Sequence, residues 1–143
     1  MEFIDGYKFD IKEISTPALA YLGDSVCEIC VRTLLTKMGI SSSRRLNSLA
    51  LQFVRAEVQA EAVMKIISRL DEEEEAVFHR GRNIGHTNIP KSATMGQYRL
   101  ATGFEALLGY LSLLGRVERI NELFLLAYAD KIDEIKSQIN TNN

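Results

Sequence analysis

Apolar residues recur every three or four positions along almost the whole chain of 143 residues, and no stretch alternates with a period of two. That spacing matches the 3.6-residue turn of an α-helix and does not match a half-buried strand, so the sequence predicts an all-α fold of about six or seven helices. Thr16 followed by Pro17 reads as an N-cap with proline at the first helical position, and Leu19, Leu22, Val26 and Ile29 then form a repeating apolar face until Gly39 stops the helix. Residues 41–43, all serine, suit the cap of a short helix through Leu46 and Leu49, and a longer helix is expected over residues 54–70. Asp71 and Glu74 have capping-box spacing, and the acids at 72–75 suit the positive end of a helix, so this run is read as structural rather than metal-binding. Residues 81–96, with Gly81, Asn83, Gly85, Asn88, Pro90 and Ser92, have no period and read as a loop. A strongly apolar helix resumes near Thr94, carries Leu100, Phe104, Leu107, Leu108, Leu111 and Leu114, and is expected at the centre of the fold. Residues 116–139 read as one last amphipathic helix with Ile120, Leu123, Phe124 and Ala127 inward, followed by a frayed tail.

With 46% apolar residues, a chain of this length can bury a core without disulfides or a structural metal, and it is expected to form one domain over residues 1–143. The longest uncharged apolar run, residues 106–115, is far shorter than the ~18 residues of a membrane span, and the acidic, mixed N-terminus lacks signal-peptide order. A cytoplasmic location is therefore expected. Cys27 and Cys30 fall on the first helix and read as small buried hydrophobes rather than a redox pair or a zinc site. His79 and His86 lack other soft ligands, which leaves them as candidate phosphate contacts.

The net charge of −2 hides a strong segregation. Residues 29–56 carry five basic side chains and residues 76–104 carry four, with no acid in either window, so the two windows hold +9 and the remainder −11. A polyanion can bind a basic face while the acidic remainder keeps the protein soluble; chance segregation on a solvated surface is the plainer alternative.

Two acids, Asp24 and Glu105, lie inside otherwise apolar helices. Ala20 precedes Asp24 by four residues, and Ala101 and Gly109 bracket Glu105 at the same spacing, so small residues flank both carboxylates. If the two stripes face each other, the carboxylates converge where unpaired negative charge is costly, and a divalent cation relieves that cost. Mg²⁺ suits such a place: it accepts one or two carboxylates, keeps several waters and binds phosphate oxygens. The alternative for each acid is a position at the edge of a buried face, hydrogen-bonded or paired with an arginine. Glu28, one turn after Asp24, either joins the site or is solvated.

Residues 19–26, Leu-Ala-Tyr-Leu-Gly-Asp-Ser-Val, resemble the signature helix of the ribonuclease III family, and residues 104–111, Phe-Glu-Ala-Leu-Leu-Gly-Tyr-Leu, resemble its second acidic helix. Arg80-Gly-Arg-Asn83, Pro90-Lys91 and Tyr98-Arg99 are similar to its catalytic-domain-only branch, Mini-ribonuclease III, and the likeness runs over about residues 15–126. The resemblance implies a divalent-metal-dependent endoribonuclease that cuts double-stranded RNA as a homodimer, leaving 5′-phosphate and 3′-hydroxyl ends. It also implies maturation of the large-subunit ribosomal RNA precursor. Carried over by position, Asp24 and Glu105 match the catalytic and metal-binding acids, and Tyr21 matches an aromatic at the dimer interface, with an ordinary core aromatic as its alternative.

Pro17, Ala20 and Thr102 stand where the larger enzymes of the family carry acids, so the metal shell must rely more on water and phosphate oxygens. No double-stranded-RNA-binding domain is expected, and the catalytic domain must supply its own grip. A-form RNA is held largely through phosphates and 2′-hydroxyls, for which Arg80, Arg82, Lys91 and Arg99 are the first candidates and Arg44 and Arg45 a weaker second patch. Helix-dipole partnership for Arg80 and Arg82, and an ion pair for Arg99, are the structural alternatives. The competing functional reading is a catalytically inactive relative that serves as an RNA-binding or ribosome-assembly scaffold; a helical protein-interaction module, without RNA or metal affinity, is a third.

Overall fold

A computed structural model describes residues 3–84 and 93–141. The described residues form seven α-helices and no strand: α1 (Thr16–Lys37), α2 (Ser43–Val54), α3 (Ala56–Met64), α4 (Glu72–Arg82), α5 (Met95–Leu113), α6 (Val117–Ala127) and α7 (Ala129–Thr141). Short 3₁₀ turns at Ile11–Glu13 and Ile67–Arg69 complete the regular structure. Among these residues no helix is long and apolar enough to cross a membrane.

The helix starts follow the local chemistry. Ser15, one residue before the expected cap, accepts the Ala18 N–H at 3.2 Å, and Pro17 occupies the first turn, where its missing N–H leaves no orphan. Ser42 caps α2, and Thr94 and Gln97 form a reciprocal capping box at the start of α5. Gly39, at φ +86°, ends α1 in the left-handed conformation, while the Ile40 N–H reaches back to the Leu35 carbonyl.

α5 lies at the centre, as expected, and packs against α1, α3, α4 and α6. Its Phe104, Leu107, Leu108 and Leu111 are fully buried in a core shared with Phe53, Val63, Phe78, Leu123 and Ile135. Leu19, Val77 and Ala106 make a smaller cluster where α1, α4 and α5 meet.

Four expectations are corrected. The buried line of α1 is Leu19, Gly23, Cys27, Val31 and Leu35, whereas Leu22 and Val26 are half-buried and Ile29 is 54% exposed. The helix turns Gly23 toward α5 because only a residue without a side chain permits the approach described below. The helix expected over 54–70 is the shorter α3, since α2 itself runs to Val54 and Arg55 between them is extended. The C-terminal helix is two, parted at Tyr128, whose buried ring packs on Phe53 and Phe124 and whose hydroxyl donates to the Phe53 carbonyl at 3.3 Å. That bond satisfies a backbone acceptor in the last turn of α2, where no intrahelical donor is available. Finally, Gly81 is helical, because α4 continues to Arg82 and presses Gly81 against Thr102, Gly103 and Ala106 of α5; Gly96 likewise belongs to α5.

Candidate active site and nucleic-acid interface

α1 and α5 touch backbone to backbone. A Cβ on Gly23 would lie 1.6 Å from the Glu105 carbonyl oxygen, and a Cβ on Gly109 would lie 2.0 Å from the Leu19 carbonyl oxygen. No other residue fits at either point without separating the helices. Asp24 directly follows the first of these glycines and Glu105 precedes the second by one turn, so the crossing brings their side chains together.

Asp24 is exposed and Glu105 is partly buried, and the two carboxyl groups interact directly. Burial first, then the hydrogen bond to Asp24 and the charge of that neighbour, pushes the Glu105 carboxyl up to about 8 from its ordinary 4.5. At neutral pH Glu105 therefore keeps its proton and does not stand as a second bare charge. The small-residue stripes read from the sequence do converge, but the contact runs through Gly23 and Gly109; Ala20 is half-buried beside them and Ala101 is buried.

A cavity of about 190 Å³ adjoins Asp24 and is lined by Cys27, Glu28, Val54 and Gln59 as well. Burial, followed by the neighbouring Cys30 and the two acids, pushes the Cys27 thiol up to about 12, so it stays protonated and behaves as the small hydrophobe expected of it. Cys27 and Cys30 are both free thiols. Glu28 is exposed and bonds to Arg32 one turn away. Gln59, a buried polar residue on this wall, was not singled out from the sequence; a lone glutamine in an alanine-rich helix carries no pattern that would mark it.

Among the described residues no group of three or more His, Cys, Asp or Glu side chains gathers around one point. Thr102 is buried, and its hydroxyl donates to the Tyr98 carbonyl at 2.9 Å, while Pro17 is exposed and Ala20 has no ligating atom. The donor set is therefore two carboxyl groups beside a space large enough for several waters. It fits a hard divalent cation that keeps most of its waters, and it does not fit one needing a complete protein cage.

The basic candidates sit at one end of the α4–α5 pair. Arg80 and Arg82 occupy the last turn of α4, and Gly81 between them packs on Thr102 and Gly103, one turn along α5 from Arg99. Arg80 and Arg99 are exposed, Arg82 is half-buried, and none of the three has an ion-pair partner among the described residues. The acid proposed as a partner for Arg99 is therefore absent there. Lys91 and His86 lie outside the described residues. Arg44 is exposed and Arg45 half-buried in the first turn of α2. His79 is exposed and stands 3.4 Å from Glu75.

Tyr21 is 85% exposed, which removes the core-aromatic alternative, and Ile29 follows two turns later on the same helix. The acidic run at 72–75 has the structural role expected. Asp71 and Glu74 form the capping box of α4, and buried Glu74 receives two bonds from Arg119, at 2.8 and 2.9 Å.

The Ribonuclease III domain family matches residues 17–116 of the chain. The chain is similar to the Mini-ribonuclease 3 of Desulfitobacterium hafniense, with 50% identity over 111 residues, covering 76% of this chain and 69% of that one. It is also similar to the Mini-ribonuclease 3 of Clostridium tetani, with 41% identity over 120 residues, covering 83% and 80%. In three dimensions it is similar to the crystal structure of a Fusobacterium nucleatum protein, at a TM-score of 0.77 and 31% identity, covering 87% of this chain and 99% of that one.

Proposed function

The chain belongs to the ribonuclease III family, and from that premise we propose that it is a Mg²⁺-dependent endoribonuclease of the cytoplasm that cuts double-stranded RNA as a homodimer. Its substrate in this reading is the large-subunit ribosomal RNA precursor. The observation that carries the proposal is the meeting of Asp24 and Glu105 at a glycine crossing, with the Glu105 carboxyl raised to about 8. A carboxyl held against a second one keeps its proton because a second bare charge there is costly, and a divalent cation can take that proton's place.

Mg²⁺ bound there would polarise the phosphodiester and supply an activated water. Asp24 and Glu105 would hold it, and Glu105 would release its proton on doing so. Arg80, Arg82, Lys91 and Arg99 would bind phosphates on either side of the cut, which orients the duplex without reading its sequence. Tyr21, too exposed for a core residue, would be covered by a second copy of the chain. With only two carboxyl groups, the RNA phosphate oxygens would complete the shell, coupling metal affinity to substrate binding.

The test is cleavage of a long double-stranded RNA in Mg²⁺ or EDTA, beside Asp24→Asn and Glu105→Gln, each of which keeps size and removes charge. The expected result is metal-dependent cutting that either substitution abolishes while RNA binding persists. Binding without cutting, with precursor ribosomal RNA included, would instead assign the chain a scaffold role.

A further inference from the structure

Gln59 is 8% exposed, and its carboxamide bonds to no described residue. Buried amides in native folds almost always have a partner, and one without points to a water, ion or ligand that completes it. Packing does not require the amide. Position 59 lies on the same buried part of α3 as Ala60, Ala62 and Val63, where an apolar side chain of equal length would fill the space. What distinguishes the position is its outlook: Gln59 faces the cavity of about 190 Å³ that Asp24 and Glu28 also line.

That space equals the liquid volume of roughly six waters. Its polar lining is the carboxylates of Asp24 and Glu28, the latter also bonded to Arg32, with the Gln59 amide and the protonated Cys27 thiol, a set whose oxygen acceptors suit the water shell of a cation. We propose that Gln59 is a positioning residue of the cation site, its amide oxygen accepting a hydrogen bond from a water carried by the cation that Asp24 and Glu105 hold. The inference rests on the metal reading of those two acids and adds a third helix, α3, to the site. It also explains how two carboxyl groups suffice where no larger ligand cluster exists among the described residues: the water shell is held by the protein as well as by the ion.

The test uses the metal-free protein and Mn²⁺ alone, with binding read by electron paramagnetic resonance, beside Mg²⁺ titrations of duplex cleavage. Gln59→Leu is expected to weaken Mn²⁺ binding about 10- to 100-fold and to raise the Mg²⁺ needed for half-maximal cutting in the same proportion. Its melting temperature without metal should be equal to or above the parent's, because a buried unpaired amide is gone. Gln59→Glu should restore or tighten Mn²⁺ binding. If Gln59→Leu disrupts the helical circular dichroism, Gln59→Met, unbranched and of similar length, carries the same expectations. Unchanged Mn²⁺ binding in Gln59→Leu, with binding lost in Asp24→Asn, would overturn the role of Gln59 and leave the metal reading standing. Parental Mn²⁺ binding in Asp24→Asn would overturn the metal reading and this inference with it.

Discussion

Glu74 and Glu105 are glutamates on the helices that flank the same core, and they are treated in opposite ways. Glu74 is 1% exposed, yet Arg119 grips both its oxygens, and its Oε1 also accepts the Asp71 N–H, so these bonds hold its carboxyl below the ordinary range. Glu105 is less buried and receives no cation among the described residues; its polar neighbour is Asp24, and burial drives its carboxyl upward. A fold can satisfy an acid completely, as α4 does at its capped start. The second acid, set against another carboxyl, stays neutral at pH 7 and can ionise there only when a cation offsets the charge.

The largest effects should separate the two. Glu105→Gln is expected to lower the cleavage rate by about three orders of magnitude, the scale seen when one group that stabilises transition-state charge is removed, with little loss of helical structure. Arg119→Ala should do the reverse. It leaves Glu74 buried and unpaired, so unfolding in urea should become easier by about 3 kcal/mol, while the rate per folded molecule holds. If Glu105→Gln unfolds the chain, or Arg119→Ala abolishes cutting without unfolding it, the division of labour fails.

A second contrast lies in the sign of the pH dependence. Without metal, the folded chain keeps the Glu105 proton up to about 8, whereas the unfolded chain loses it near 4.5. The stability associated with this group is present below 4.5 and is lost as pH rises through about 8. Glu74 contributes the opposite arm: its depressed carboxyl stabilises the fold above the ordinary carboxylate range, and this is lost as pH falls into acid. Urea unfolding in EDTA at pH 5 and pH 8.5 should show Glu105→Gln gaining on the parent at the higher pH and matching it at the lower. Added Mg²⁺ should restore the parent's stability at high pH, because the ion offsets the two carboxylate charges left once the proton has gone. A parent curve that is flat across this range would mean that the pair is less desolvated than its geometry indicates.

The contrast also marks how far the sequence could be read. Asp71, Glu74 and the acids around them carry a local signature, the capping box, and the role of the run was legible from spacing alone. Asp24 and Glu105 were legible as acids in apolar helices flanked by small residues, but their meeting is a fact of tertiary packing. The decisive contact uses Gly23, off the apolar face that Leu22 and Val26 suggested, because backbone contact rather than side-chain packing sets the α1–α5 crossing. Gln59 and the Tyr128 break were hidden for a related reason. Neither residue breaks a helical period, and each acquires its role from a partner far along the chain: Gln59 from the cavity beside Asp24, Tyr128 from the carbonyl of Phe53.

The smallest expected effect extends the same comparison from acids to arginines. Arg119 spends its guanidinium on Glu74, Glu122 and the Arg69 carbonyl, whereas Arg80 and Arg99 are exposed and unpaired among the described residues. A cation already engaged has little to offer a phosphate; an unengaged one costs nothing to redirect. Arg80→Ala and Arg99→Ala should therefore each weaken binding of an uncut duplex only several-fold, and each should reduce the slope of log affinity against log salt by about one. The measurement is a salt titration of binding by the Glu105→Gln protein, which keeps the duplex intact, combined with each arginine substitution. A slope left unchanged by both arginine substitutions would move the RNA-binding face away from the α4–α5 end and toward the other basic window, at Arg44 and Arg45.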